Sequence, residues 1–484
     1  MTFVAEFEPR PLWGHFDQIL TIPRGSKEED KMREYVLTAA RSRGLEYQVD
    51  AAGNVVVRKP ATPGKEGAPI TILQSHLDMV NDKNSDVEHD FGKDPIRPVR
   101  EGDYLTADGT TLGADNGIGV AAMLAIMEAH DLVHGPLEFL YTIDEETGLT
   151  GAMGLDASML RGRRLVNLDS EEEGALTVGC AGGADTTLRL RLQTLPAPER
   201  VTAHRVKLHG LKGGHSGLDI HLQRGNAIQL LARVIHAVAR GTPGFLAGIE
   251  GGNKRNAIPR EAWATVIIPE EQSGTFLQQV GEQFDAVKAE FEAVDPGITL
   301  SVEEVSTPQE VWTTDTTWNI LRLLVALQHG VLAMSNDIPG LAETSTNLAV
   351  VRTERHELTV LLNTRSSVAS ALDWGRRKIR AIGFLAGARV EEPEGYPGWK
   401  PNLDSPLLHV VKSVHARLAG KEPHVEALHA GLECGLIGEM LPGMDMISFG
   451  PQIENPHSPD ERVMIDSVGR FYDLLTEVLE ELAA

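Results

Sequence analysis

Short apolar runs that alternate with helical patterns constrain this chain most. Runs at 54–57, 70–77, 137–143 and 165–168 have strand length and apolar character, and a helical pattern at 117–129 stands among them. That alternation predicts an α/β domain with a sheet at its centre. Ahead of it, 13–37 reads as a helix, a turn at Ile22-Pro23-Arg24-Gly25-Ser26 and a second amphipathic helix. Ser26 stands before the acidic first turn Glu28-Glu29-Asp30, as a helix start prefers.

From about Ala184 the texture changes. Strand patterns at 187–192, 204–208, 263–268 and 358–363 are interleaved with helical ones at 226–239, 274–294, 319–330 and 369–382. Asn226-Ala-Ile-Gln-Leu-Leu231 matches Asn319-Ile-Leu-Arg-Leu-Leu324, and Asn256-Ala-Ile258 matches Asn347-Leu-Ala349, each Asn triplet being read as preceding a strand. Two short matches fit chance as well as duplication. Gly395-Tyr-Pro-Gly-Trp399-Lys-Pro401 reads as a crossing back to the first domain, which a last helix at 467–482 closes.

A chain of 484 residues predicts two or three domains, and 42% hydrophobic residues allow a sizeable core. With 45 Lys+Arg against 69 Asp+Glu the net charge is −24, which argues against nucleic acid as a partner. Two cysteines, Cys180 and Cys434, allow at most one bridge, not a disulfide framework or a Cys-rich zinc finger. The first 24 residues lack an unbroken apolar segment with a small-residue cleavage site, and no 18-residue stretch is apolar enough to span a bilayer. The expectation is a soluble, multi-domain cytoplasmic protein without membrane partners.

Five short segments hold the chemistry. Ser75-His76-Leu77-Asp78 ends an apolar strand, and a period of two puts His76 and Asp78 on one side, an imidazole beside a carboxylate that can orient it. Gly113-Ala114-Asp115-Asn116-Gly117 is a Gly-rich turn into a helix. Asp144-Glu145-Glu146-Thr147-Gly148 and Asn167-Leu168-Asp169-Ser170-Glu171 place carboxylates directly after apolar strands, and Pro456-His457-Ser458-Pro459-Asp460-Glu461 is a loop before the last helix. Separately these are a polar strand end, a helix cap, two solvated acidic runs and a loop histidine. Together they supply two histidines and three or more carboxylates, a donor set for zinc, manganese or cobalt rather than a thiolate metal. A further carboxylate is left to handle protons, as a two-metal hydrolase requires.

These segments, with Gly213-Gly214-His215-Ser216-Gly217 and His429-Ala430-Gly431-Leu432-Glu433-Cys434-Gly435, resemble the co-catalytic zinc aminopeptidase/carboxypeptidase superfamily. Within it they are most similar to the cytosolic non-specific, or aminoacyl-histidine, dipeptidases, relatives of the carnosinases. The resemblance implies that Asp115 bridges two zinc ions, with His76 and Asp169 completing one site and Glu146 and His457 the other; manganese or cobalt are substitutes. Glu145 is then the general base, Asp78 orients His76, and the Asp115–Asn116 peptide is cis. His215 contacts the substrate carbonyl or carboxylate. Arg365, assisted by Asn256, is the candidate for the substrate's C-terminal carboxylate, since guanidinium grips carboxylates bidentately. Glu433, a carboxylate able to take a free α-amino group, favours a dipeptidase over a deacylase.

The implied architecture is a zinc-peptidase catalytic domain, a central mixed sheet flanked by helices, from 1–184 and 397–484. An α+β lid of two ferredoxin-like halves is inserted at 185–396. A doubled lid can supply His215 within one chain, so both a monomer and a homodimer are compatible with it. The expected activity is metal-dependent hydrolysis of unblocked dipeptides, Xaa-His included. The alternatives are a tripeptidase, an N-acyl-amino-acid amidohydrolase, or an inactive peptide-binding scaffold.

Overall fold

The structure, a computed structural model, describes residues 2–242 and 244–484. It divides into two units, one of Met1–Gly179, Pro401–Ala427 and Leu432–Ala484, the other of Cys180–Lys400 with Leu428–Gly431.

The first unit is built on an eight-stranded sheet. Its order is Glu46–Val49, Val55–Lys59, Leu137–Thr142, Thr71–His76, Arg164–Asn167, Asp445–Ser448, Ala175–Cys180 and His424–Leu428. The sheet is mixed, as expected. Thr71–His76 runs parallel to both its neighbours, and Asp445–Ser448 runs parallel to Arg164–Asn167, whereas Val55–Lys59 is antiparallel to Leu137–Thr142. Leu137–Thr142 and Thr71–His76 are buried at every position, which is why their apolar residues do not alternate with solvent-facing polar ones. Three parallel strands therefore end side by side, at His76, Thr142 and Asn167, and the polar segments that follow all leave from one edge of the sheet.

The helix Ala114–Glu128 is apolar on every side and almost wholly buried. It packs against the helix Arg10–Ile19 and the strand Thr71–His76, so its N-terminal end is fixed beside the sheet edge. Ser26 does not cap a helix. The helix Asp30–Ser42 starts without a side-chain cap, and the Ser26 hydroxyl instead donates to Asp78 Oδ2 at 2.8 Å.

The second unit carries a nine-stranded sheet: eight strands form two βαββαβ halves, the ferredoxin-like pattern, and a ninth, Gly330–Met334, pairs with Ala342–Glu354. One half is Val201–His209, helix Ala227–Val238, Phe245–Gly251, Ala262–Pro269, helix Ser273–Phe291 and Thr299–Val305. The other is Gly182–Arg191, helix Thr314–Ala326, Ala342–Glu354, Glu357–Ser366, helix Ala369–Leu385 and Arg389–Glu391. Numbered within each half, the strand order is 4-1-3-2 followed by 2-3-1-4, so the halves join through their second strands, at Gly251 and Val351. The first half is inserted between the first strand and first helix of the second. One apolar core runs through both, from Leu188 and Val206 to Leu348 and Val360.

Candidate metal centre

His76 is the last residue of its strand and is buried, with Nδ1 3.4 Å from Asp78 Oδ1 and Nε2 turned the other way. Nε2 lies 3.1 Å from Asp115 Oδ1 and 3.1 Å from Asp169 Oδ1. Asp115 sits at the start of its helix in a non-helical conformation, after a left-handed Gly113 and before a cis peptide to Asn116, the isomer the resemblance implies. Its second oxygen, Oδ2, lies 3.2 Å from His457 Nε2, which is also 2.9 Å from Glu146 Oε2. His457 reaches this point from the tip of a hairpin between Ile453–Glu454 and Arg462–Met464. The donor atoms of His76, Asp115 and Asp169 lie within 4.8 Å of one another, as do those of Asp115, Glu146 and His457, and those of His76, Glu145 and Glu146.

The charges make these groups interdependent. Burial opposes ionisation of Asp115, but His457 and His76 hold it well below the usual carboxylate range. Hydrogen bonds to Asp115 and Glu146 push His457 up to about 11. Burial pushes Glu145 well above its usual range; Asp169, Glu146 and Glu433 add to the rise against the pull of His76. Glu171 is raised to about 8, by burial first and then by Asp115 and Asp169. A buried carboxylate-rich pocket facing two imidazole Nε2 atoms suits divalent cations of the borderline class. Glu146 Oε1, buried and without a hydrogen-bond partner among the described residues, fits the same demand.

Sequence reasoning assigned no role to three residues around this cluster. Glu171 stands two residues beyond Asp169 in the Asn167–Glu171 segment. Glu461 accepts the N–H groups of Leu112, Gly113, Ala114 and Asp115 at 2.7, 2.8, 2.8 and 3.2 Å. Arg24 donates to the carbonyls of Leu77, Asp78 and Gly113. Both act on backbone groups, which leave no trace in a side-chain motif; their presence inside the noted Ile22–Ser26 and Pro456–Glu461 stretches was the available signal.

Glu433 is fully buried beneath the same edge. Its Oε2 accepts from Gln74 Nε2 at 2.5 Å and Thr142 Oγ1 at 2.7 Å, and Oε1 has no partner among the described residues. Burial raises it to about 7.

The remaining candidates belong to the second unit. His215 pairs with Ala257 in a two-residue ladder, next to the exposed Asn256. Its Nδ1 accepts the N–H groups of Gly217 and Leu218 at 3.3 and 3.1 Å, so the ring proton belongs on Nε2, which is left as a donor. Burial, then Arg365, lowers it to about 4, so the ring is neutral. Arg365 is 6% exposed, with Nη1 3.0 Å from the Tyr396 hydroxyl and Nε unpartnered among the described residues. No carboxylate pairs with it there, and the charge of this buried guanidinium also bears on His429.

No helix among the described residues is long and apolar enough to cross a membrane. The model of "Peptidase family M20/M25/M40" matches residues 72–481. The chain is 41% identical over the full length of both proteins to the cytosol non-specific dipeptidase of Escherichia coli. It is 42% identical to a crystal structure of aminoacylhistidine dipeptidase from Vibrio alginolyticus, covering 99% of this chain and 98% of that one at a TM-score of 0.92. Aminopeptidase PepT from Bacillus cereus, 16% identical over 99% of this chain and 100% of its own at a TM-score of 0.58, shares the fold. The family match takes in His76, Asp115, Glu146, Asp169 and His457, the residues whose donor atoms converge at the sheet edge, and with this full-length identity the chain belongs to peptidase family M20/M25/M40.

Proposed function

We propose that this chain is a metal-dependent dipeptidase that hydrolyses unblocked dipeptides, Xaa-His among them, with two zinc ions that manganese or cobalt can replace. The observation that carries the reading is the sharing of Asp115: one oxygen faces His76 at 3.1 Å and the other faces His457 at 3.2 Å. A single carboxylate set between two imidazoles, each with a second carboxylate of its own, is a ligand set for a pair of cations. The names of the full-length relatives from Escherichia coli and Vibrio alginolyticus support the same substrate class.

His76, Asp169 and Asp115 would hold one ion, and Glu146, His457 and Asp115 the other. Bound there, the ions would supply Lewis acidity to a water and to the scissile carbonyl. The chain's own residues do the rest. Glu145, adjacent to Glu146 in sequence and within the same group as His76, takes a proton from the attacking water and returns it to the leaving amine nitrogen. Asp78 fixes the ring of His76 through Nδ1. His215, neutral and with its proton on Nε2, donates to the substrate carbonyl. Arg365 and Asn256 take the C-terminal carboxylate. Glu433, with one oxygen committed to Gln74 and Thr142 and the other without a partner among the described residues, takes the α-ammonium group. We place the enzyme in the cytoplasm, as a monomer or homodimer.

Hydrolysis of Ala-His, β-Ala-His and N-acetyl-Ala by one zinc-loaded preparation, with a chelated control, tests the reading. Cleavage of the free dipeptides alone, lost on chelation, is the expected result. Cleavage of the acetylated compound alone would make the chain a deacylase and remove the role given to Glu433. Glu145→Gln should lower turnover by about 10²–10⁴-fold with metal content unchanged.

A further inference from the structure

We propose that Glu461 is a positioning residue for the metal centre. Its carboxylate locks the Asp115 turn to the His457 hairpin, and so presets two of the residues that would hold the second ion. The inference rests on the two-ion reading above and extends it to a residue that has no part in binding an ion.

Glu461 is 2% exposed, and both its oxygens are used. Oε2 takes the N–H groups of Leu112 and Gly113, and Oε1 those of Ala114 and Asp115. Four successive amide donors converge on one side chain, an arrangement that favours the ionised carboxylate, whose oxygens are acceptors only. These N–H groups lie at or just before the start of the helix Ala114–Glu128, whose first amides have no partners within the helix. Glu461 therefore caps a buried helix from a segment some 350 positions away in sequence, the separation recorded for its bonds being 346 to 349.

What it ties together gives the cap its function. Glu461 follows His457 by four residues, on the hairpin whose tip carries that histidine, and its own N–H closes the tip onto Ser458 O at 3.0 Å. Thr106 Oγ1 fixes the Glu461 carbonyl at 2.7 Å, so the backbone is held on one side while the carboxylate holds the Asp115 turn on the other. Arg24 carries the opposite charge and collects the carbonyls of Leu77 and Asp78, just beyond His76, and that of Gly113. A Cβ at position 113 would overlap both the Arg24 guanidinium and Met79, and φ there is +71°, so glycine is the residue that lets Arg24 this close. The three segments that bring His76, Asp115 and His457 are thus pinned by one buried anion and one buried cation.

If this holds, the Asp115 turn is ordered without metal. Hydrogen exchange of the metal-free protein should show the amides of residues 112–115 protected. Zinc titration against a competing chelator should give two ions per chain. Glu461→Gln places an amide N–H₂ against backbone donors, and Glu461→Asp draws the carboxylate back by one methylene. Each variant should speed exchange at 112–115 and weaken one of the two zinc affinities at least tenfold. Glu454→Gln, which loosens the same hairpin by removing its ion pair with Arg462, should change neither. Free exchange at these amides in the metal-free wild-type protein would overturn the proposal. So would a Glu461 variant that keeps both affinities. If neither variant folds, the wild-type exchange decides alone. Fewer than two ions on the wild-type chain would count against the two-ion reading instead, and the exchange result would still judge the cap.

Discussion

Asp78 takes the Ser26 hydroxyl at 2.8 Å, the N–H of Glu145 at 3.1 Å and that of Glu146 at 3.2 Å, and faces His76 Nδ1. One carboxylate thus lies beside the ring of a proposed ligand and holds the backbone that carries both the proposed base and a second proposed ligand. Asp78→Asn keeps the shape but replaces an accepting oxygen with a donor that meets those N–H groups. We expect activity and zinc affinity each to fall by about 10–100-fold, read by dipeptide kinetics and chelator competition. Arg365→Lys keeps the charge and loses the planar fork, so we expect about 1.5–3 kcal/mol of kcat/KM to be lost, mainly through a higher KM for free dipeptides. A parallel fall in kcat with KM unchanged would remove Arg365 from ground-state binding of the carboxylate. Residues such as His76, Asp115 and Asp169 were legible in the sequence because each follows or ends an apolar run or a Gly-rich turn. Glu461 and Arg24 were not, because their partners are peptide groups, and a peptide group has no letter of its own.

At the scale of elements, Asn226 shows how far a repeat can be read. Its Oδ1 accepts from the N–H groups of Ile228 and Gln229 and caps the helix Ala227–Val238, while its Nδ2 donates to Leu348 O at 2.8 Å, in the second strand of the other half. Asn226→Ala removes the cap and strands a buried carbonyl, and should cost about 1–3 kcal/mol, measured as a lower denaturant midpoint with catalysis per folded molecule retained. The sequence match paired Asn226 with Asn319, and the helices concerned do occupy the same place in the two halves. The asparagines do not. Asn319 lies inside Thr314–Ala326 and donates to Ala386 O, and Thr313 is the cap there. The second match fails in register: Asn347 lies within the strand Ala342–Glu354, while Asn256 precedes its strand. That long strand escaped the sequence reading because its first half, Glu343-Thr-Ser-Thr-Asn347, is polar yet mostly buried. Its hydroxyls are satisfied by neighbours such as Ser366 and His429, which only the fold brings near.

Over the whole molecule, the −24 charge suggests that acid should relieve repulsion and help the fold, but buried histidines act the other way. His429 is 6% exposed, with Nε2 2.7 Å from Ser345 Oγ. Burial first, then Arg365, His215 and His221, lowers it to about 3, against about 6.5 in an unfolded chain. The folded-state value is the depressed one, so below about pH 6.5 the unfolded state binds a proton that the folded state does not. The contribution of this histidine is complete above that pH and is lost as the pH falls toward 3. The slope approaches about 1.4 kcal/mol per pH unit, which amounts to about 2–3 kcal/mol between pH 6.5 and 4.5. Glu433, raised to about 7, runs in the opposite sense: its folded form binds the extra proton, so its penalty grows as pH rises from its unfolded value toward 7. A bare pH–stability curve therefore mixes the two. Replacing His429 with Gln separates them, because Gln keeps a hydrogen-bonding group for Ser345 and cannot titrate. The stability of the wild-type protein minus that of His429→Gln, from denaturant midpoints in metal-free buffer, should be flat above pH 7 and should fall between pH 6.5 and 4.5. A difference that stays flat throughout would mean that His429 takes up its proton in the folded state, and that Arg365 does not hold this part of the second unit free of additional positive charge.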